Sequence, residues 1–111
     1  MRKYLCIHCH FYQPPRENPW LEEIEVQDLA APYHDWNARI NAECYAPNSS
    51  SRILNDEDKI VDIVNNYLNM SFNFGPTLLS WVKTKDPDTY HKILEADSES
   101  LTSRSGHGNA I

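Results

Sequence analysis

Residues 3–15 read Lys3-Tyr4-Leu5-Cys6-Ile7-His8-Cys9-His10-Phe11-Tyr12-Gln13-Pro14-Pro15. As far as Phe11 they alternate, with Leu5, Ile7, Cys9 and Phe11 on one face and Tyr4, Cys6, His8 and His10 on the other, the period-two pattern of a buried strand. Two prolines cannot continue a ladder, so the strand is predicted over Lys3 to Phe11 with its end near His10. Both histidines then stand on one face at its C-terminal end, where parallel α/β sheets hold their ligands. His8 reads either as a hydrogen-bonded core residue or as a ligand contact; for His10, at the strand end, the ligand role is the stronger reading.

A second alternation runs from Met70 to Phe74. It places Met70, Phe72 and Phe74 on one face and Ser71 and Asn73 on the other, before Gly75-Pro76 breaks it. Asn73 is expected to look toward the same pole as His10. Pro76 suits the first turn of a helix whose apolar face is Leu78, Leu79, Trp81 and Val82. Asp86-Pro87-Asp88 then signals a further helix, with Tyr90, Ile93 and Leu94 buried and an end near Ala96. A polar connection over 97–105 follows, and residues 106–111, Gly106-His107-Gly108-Asn109-Ala110-Ile111, are a candidate third strand.

Between the two strands the chain is harder to read. From Arg16 to about Ile40 no period is evident, so a long loop with one short helix is expected. Its Trp20, Tyr33, His34, Asp35 and Trp36 argue for an ordered, functional loop. Trp20 and Trp36 are candidate stacking platforms for sugar rings, with stapling of the loop as the alternative. After Asn55-Asp56-Glu57-Asp58, an acidic start suited to a helix, Ile60, Val61, Ile63, Val64, Tyr67 and Leu68 form a stripe. A helix of about two to three turns is predicted, and the β-branched content keeps a hairpin strand open.

The order of elements is the rhythm of a parallel α/β fold with only two or three strands, hence a truncated barrel or open sheet whose edges need cover. With 111 residues, residues 1–111 form one domain or part of a larger one. A net charge of −6 offers no positive field for nucleic acid. His8 and His10 interrupt any signal-peptide core and no stretch has the length of a membrane helix, so a soluble, cytoplasmic chain is expected with no membrane partner. Three cysteines are an odd number and suit reduced thiols.

Cys6, His8, Cys9 and His10 are metal-ligand types, but on a strand Cys9 points away from the other three, and no second ligand pair follows at a zinc-finger spacing. Glycosidic cleavage needs two carboxyls about 5 to 10 Å apart. No convincing pair is present: Glu22, Glu23 and Glu25 sit in the loop, residues 56–58 read as a helix start, and Glu95, Asp97 and Glu99 surround a helix end.

The stretch from His8 to Trp20, together with Pro32-Tyr33-His34-Asp35-Trp36-Asn37 and Ser71-Phe72-Asn73-Phe74-Gly75-Pro76, resembles the bacterial branch of family 57 glycoside hydrolases. In the family's shorter signature a histidine directly precedes Gln-Pro; here two residues separate His10 from Gln13. The resemblance implies the N-terminal part of a (β/α)7 barrel, a retaining mechanism on α-linked glucans, and no metal or other cofactor. His10 takes the place of the substrate-contacting histidine, and residues 106–111 approach the second signature. The family's glutamate nucleophile and aspartate acid belong to later strands, so no catalytic residue is assigned here. The expected contacts to an α-glucan or oligosaccharide are His8, His10, Gln13, Trp20, Trp36, Asn73 and His107. The alternatives from other classes are a carbohydrate-binding barrel that does no chemistry, and a metal-dependent hydrolase or deacetylase built on His8 and His10.

Overall fold

The computed structural model describes residues 1–102 and 106–111; part of the polar connection expected over 97–105 lies outside the described residues. The architecture is mixed α/β. Strand β1 (His8–Phe11) pairs in parallel with β6 (Ser71–Phe74), with His8 opposite Ser71, His10 opposite Asn73 and Phe11 opposite Phe74. On the other side of β6, Ala110 forms a parallel bridge to Phe72: the Phe72 amide donates to the Asn109 carbonyl (2.9 Å) and the Ile111 amide to the Phe72 carbonyl (2.8 Å). Three stretches consecutive in the parallel order therefore lie side by side, with β6 in the middle.

Alternation sets what each strand buries. Cys9 and Phe11 of β1 and Phe72 and Phe74 of β6 turn to the core, and His8 and His10 are exposed. Aromatic rings fill the space beneath the sheet. Phe11 stacks on Phe74 with centroids 4.7 Å apart and meets Tyr45 and Tyr67 edge-on, arrangements favoured by the ring quadrupoles.

Helix α3 (Pro76–Lys85) follows β6 directly and buries Leu78 and Val82, one turn apart. Helix α4 (Pro87–Ser100) buries Thr89, Ile93, Ala96 and Ser100. Its N-terminus is capped by Asp86, which accepts from the Thr89 amide (3.2 Å) and hydroxyl (2.7 Å). Burial raises the Asp86 carboxyl, but hydrogen bonds from Asn41 and from both groups of Thr89 outweigh it and hold the group below the ordinary carboxylate range. The helix runs to Ser100 rather than ending near Ala96, because Ala96 and Ser100 continue the buried stripe. Leu94 lies off that stripe and is exposed, contrary to the sequence reading.

The first strand is shorter than expected. Residues 1–7 form no element and are exposed, because the parallel ladder begins only where β6 offers partners; its first bond runs from the Ser71 amide to the Ile7 carbonyl (3.0 Å). The predicted helix over 60–68 is also overturned. Antiparallel strands β4 (Ser51–Leu54) and β5 (Ile60–Val64) form a hairpin, followed by a 3₁₀ turn at Asn66–Leu68. The acidic run is its turn. Asn55 Oδ1 accepts from the Glu57 and Lys59 amides, and Asp58 takes a positive φ of 60°, turn chemistry typical of Asn and Asp. The β-branched side chains then favour strand.

The loop from Arg16 holds a short hairpin of two-residue strands, β2 (Glu17–Asn18) with β3 (Glu23–Ile24), and a 3₁₀ turn at Asp28–Ala30. The described residues thus contain three two-stranded sheets, more strands than the two or three expected. From Trp36 the chain is continuously helical to Ser49: α1 (Trp36–Ile40), a π segment (Asn41–Tyr45) and α2 (Ala46–Ser49). Asp35 caps α1 by accepting from the Ala38 amide (3.0 Å). Among the described residues no helix is long and apolar enough to cross a membrane.

Candidate functional site

The C-terminal end of the β1–β6 pair gathers the polar side chains that the sheet turns outward. His10 and Asn73 sit opposite one another in register, and the His10 Nδ1 and Asn73 Oδ1 are hydrogen-bonded. With the amide oxygen as acceptor, the ring proton sits on Nδ1, which leaves Nε2 of the neutral imidazole as an acceptor. The Tyr12 ring lies nearly parallel to that of His10, 11° between planes and 6.1 Å between centroids. One register step back, His8 Nδ1 bonds the Ser71 hydroxyl at 2.7 Å. Alternation along two parallel strands therefore produces an exposed row of two histidines, an amide, a hydroxyl and a phenol ring.

Gly75 closes this end. Its amide donates to the Phe11 carbonyl (2.9 Å), and a Cβ at this position would come 3.2 Å from the Tyr12 ring. A side chain there would press on the ring that stacks on His10.

Gln13 takes a different place from the one expected of a ligand contact. It is buried; its amide nitrogen donates to the Tyr45 hydroxyl (3.0 Å), and its oxygen accepts from Arg16 Nη2 (2.7 Å). Arg16 Nε also donates to Asn37 Oδ1 (3.2 Å). Burial pushes the Tyr45 phenol up, against the bond from Gln13, so it stays a neutral donor and acceptor. This network ties the turn after β1 to α1 and the π segment. Gln13 is therefore a positioning residue for the loop that carries Tyr12.

The two tryptophans are not brought to His10. Trp20 lies on the turn between β2 and β3, 90% exposed. Trp36 opens α1 with the Arg39 guanidinium 5.1 Å over its ring, and neither has a hydrogen bond or ring contact with His10 or Asn73. His107 precedes the bridge at Ala110. Because that stretch runs parallel to β6, His107 lies toward the N-terminal end of the sheet, away from the pole of His10 and Asn73. Two participants went unassigned in the sequence: Tyr12, whose place next to His10 in the chain gave a signal, and Ser71, whose pairing with His8 depends on register.

Two buried polar atoms have no partner among the described residues, Asn41 Oδ1 and Trp81 Nε1. Asn41 Nδ2 donates to Asp86 Oδ2 (3.0 Å), so the ionised carboxylate fixes which way the amide points and leaves its oxygen unpaired. No group of three or more His, Cys, Asp or Glu side chains that could hold a metal ion occurs among the described residues. Compared with models of known protein families, with curated proteins and with solved structures, the chain matches none.

Proposed function

We propose that this chain forms the N-terminal part of a glucan-active (β/α)7 barrel resembling the family 57 glycoside hydrolases, and that the end of the sheet bearing His10, Asn73 and Tyr12 contacts an α-linked glucan. The observation that carries the reading is the His10–Asn73 pair on adjacent parallel strands with Tyr12 stacked beside it. An imidazole acceptor, an amide and an aromatic face together suit a sugar ring, which presents hydroxyls at its rim and C–H groups on its face. The side-by-side order of β1, β6 and the 109–111 stretch supports a singly wound barrel, since consecutive parallel strands are neighbours there.

Chemistry in this reading is a double displacement: one carboxylate attacks the anomeric carbon while a second protonates the leaving oxygen, and the second then activates the water that releases the product. Both carboxylates belong to strands that would follow Ile111. The present residues bind and orient. An in-frame continuation with a glutamate and an aspartate at the ends of such strands supports glycosyl transfer; a continuation without them leaves carbohydrate binding as the function.

Binding is tested directly by titrating the chain with maltose and comparing His10→Ala and Asn73→Ala. Each lost hydrogen-bonding group is expected to weaken binding about tenfold, or roughly 1.4 kcal/mol. Unchanged affinity in both variants would move the sugar site elsewhere.

A further inference from the structure

Residues 3–7 keep the alternation of a strand, with Leu5 and Ile7 on one side and Tyr4 and Cys6 on the other, yet the ladder between β1 and β6 reaches back only to the Ile7 carbonyl, which accepts from the Ser71 amide. Ahead of that bond Tyr4, Leu5 and Cys6 are exposed. The segment has the pattern of a strand and no neighbour to pair with.

The β4–β5 hairpin has the converse deficit. Its strands pair only with each other, so each keeps one open edge, and Ile53, Leu54, Ile60, Val61 and Ile63 are exposed. A two-stranded ribbon is marginal in water, and a third strand is what makes such a sheet hold. Open edges of this kind accept strands from other chains. On β5 the Ile63 amide already donates to the Asp62 carboxylate (2.8 Å). No side chain among the described residues accepts from an amide of β4, so β4 offers the more receptive edge.

Charge distinguishes the two surfaces and matches them. Residues 1–7 carry Arg2 and Lys3 and no carboxylate, whereas residues 51–64 carry Asp56, Glu57, Asp58 and Asp62 against Arg52 and Lys59. Glu57 pairs with Lys59 at 3.5 Å, but Arg2, Lys3, Asp56 and Asp58 have no ion-pair partner among the described residues. Laid antiparallel along β4 with Leu5 opposite Ile53, the segment sets Tyr4 opposite Leu54 and brings Arg2 to Asp56. One register therefore satisfies apolar contact and charge together.

We propose that the chain pairs with a second copy of itself by strand addition, residues 3–7 of one copy lying antiparallel along the open edge of β4 in the other. Exchanged about a two-fold axis, the contact is made twice and closes at a dimer. The inference is independent of the glucan reading, because the segment enters β1 at the end of the sheet opposite His10.

The test is sedimentation velocity of the full chain over a range of concentrations, under reducing conditions because Cys6 is an exposed free thiol. The wild type is expected to pass from monomer to dimer. Arg2→Glu with Lys3→Glu, and separately Asp56→Lys with Glu57→Lys, are exposed changes that set like charges against each other, and each pair should weaken dimerisation about tenfold or more. An equal mixture of the two variants should dimerise again, since each then meets an opposite charge on the other. Leu5→Pro removes an amide from the added strand without touching an element of the monomer, and should also weaken dimerisation about tenfold.

A wild type that stays monomeric throughout overturns the proposal. So does association that both charge variants leave unchanged, which would assign it to other edges of the sheets. Loss in each variant without recovery in the mixture overturns the pairing of these two surfaces, and an unaffected Leu5→Pro overturns the added strand.

Discussion

Tyr67 is completely buried and donates its hydroxyl to the Tyr45 carbonyl at 2.9 Å, while its ring packs among Phe11, Phe72 and Phe74. Tyr67→Phe keeps the packing and removes only the donor, so a loss of about 1 kcal/mol is expected in urea unfolding. Burial pushes this phenol well above its ordinary value, with Cys44, Tyr45 and Cys9 adding to the effect. In the unfolded chain the phenol ionises near its ordinary value, whereas the folded protein keeps the proton. Above about pH 10 folding therefore retains a proton that unfolding releases, and stability falls as pH rises. The Phe variant should show a shallower alkaline decline. Asp86 works in the opposite sense: its folded carboxyl is the stronger acid, so the stability it contributes is present above about pH 4 and is lost as pH falls through the folded value. Asp86→Ala should cost about 0.5–2 kcal/mol at neutral pH by removal of the cap, and should flatten the acid limb of the stability profile. An acid limb as steep as the wild type's would show that other carboxylates set it.

The elements differ sharply in how much they hold. Phe72 sits in the middle strand with 1% of its surface exposed, and Phe72→Ala is expected to cost about 3–5 kcal/mol. On the β4–β5 hairpin Ile53, Leu54, Ile60, Val61 and Ile63 are all 45% exposed or more, and Val61→Thr or Ile63→Thr should change stability by less than about 0.5 kcal/mol. A large loss on the hairpin would mean that it is packed in solution against something absent here. β6, α3 and the start of α4 were legible because each carries a clear period between a proline, glycine or capping residue. Ile60 to Leu68 fits a helical stripe and a strand equally well, and the Asx turn at Asn55 decided it. One short helix was expected before Ile40, where α1 lies, but its position and its continuation to Ser49 were not marked, because the buried positions include Asn37 and Ser49, so no apolar period shows, and a π segment shifts the phase midway. Alternation put His10 and Asn73 at one pole of the sheet, but their pairing, like that of His8 with Ser71, is set by the register of β1 against β6. The positions of Gln13, Trp20 and His107 depend on register and loop path, which no local pattern records.

At the scale of the molecule the core is narrow for the chain that surrounds it. The Cα radius of gyration is 16.3 Å and the extents are 56 × 38 × 25 Å, against roughly 13 Å for a compact domain of this length. Tyr4, Leu5 and Ile7 lead into β1 while exposed, and the hairpin presents apolar side chains on both faces. Isolated hairpins are marginal in water, and open strand edges with apolar neighbours invite pairing with other chains. The chain by itself should therefore give a broad, low-enthalpy thermal transition and associate as its concentration rises, measured by calorimetry and sedimentation velocity. If the barrel reading holds, extending the chain in frame until the sheet closes should sharpen the transition and abolish the association together, since both arise from the same uncovered edges and faces. A sharp two-state melt of a monomeric 111-residue chain would show that the aromatic cluster under β1 and β6 suffices alone, and the argument for a larger barrel would lose its structural support.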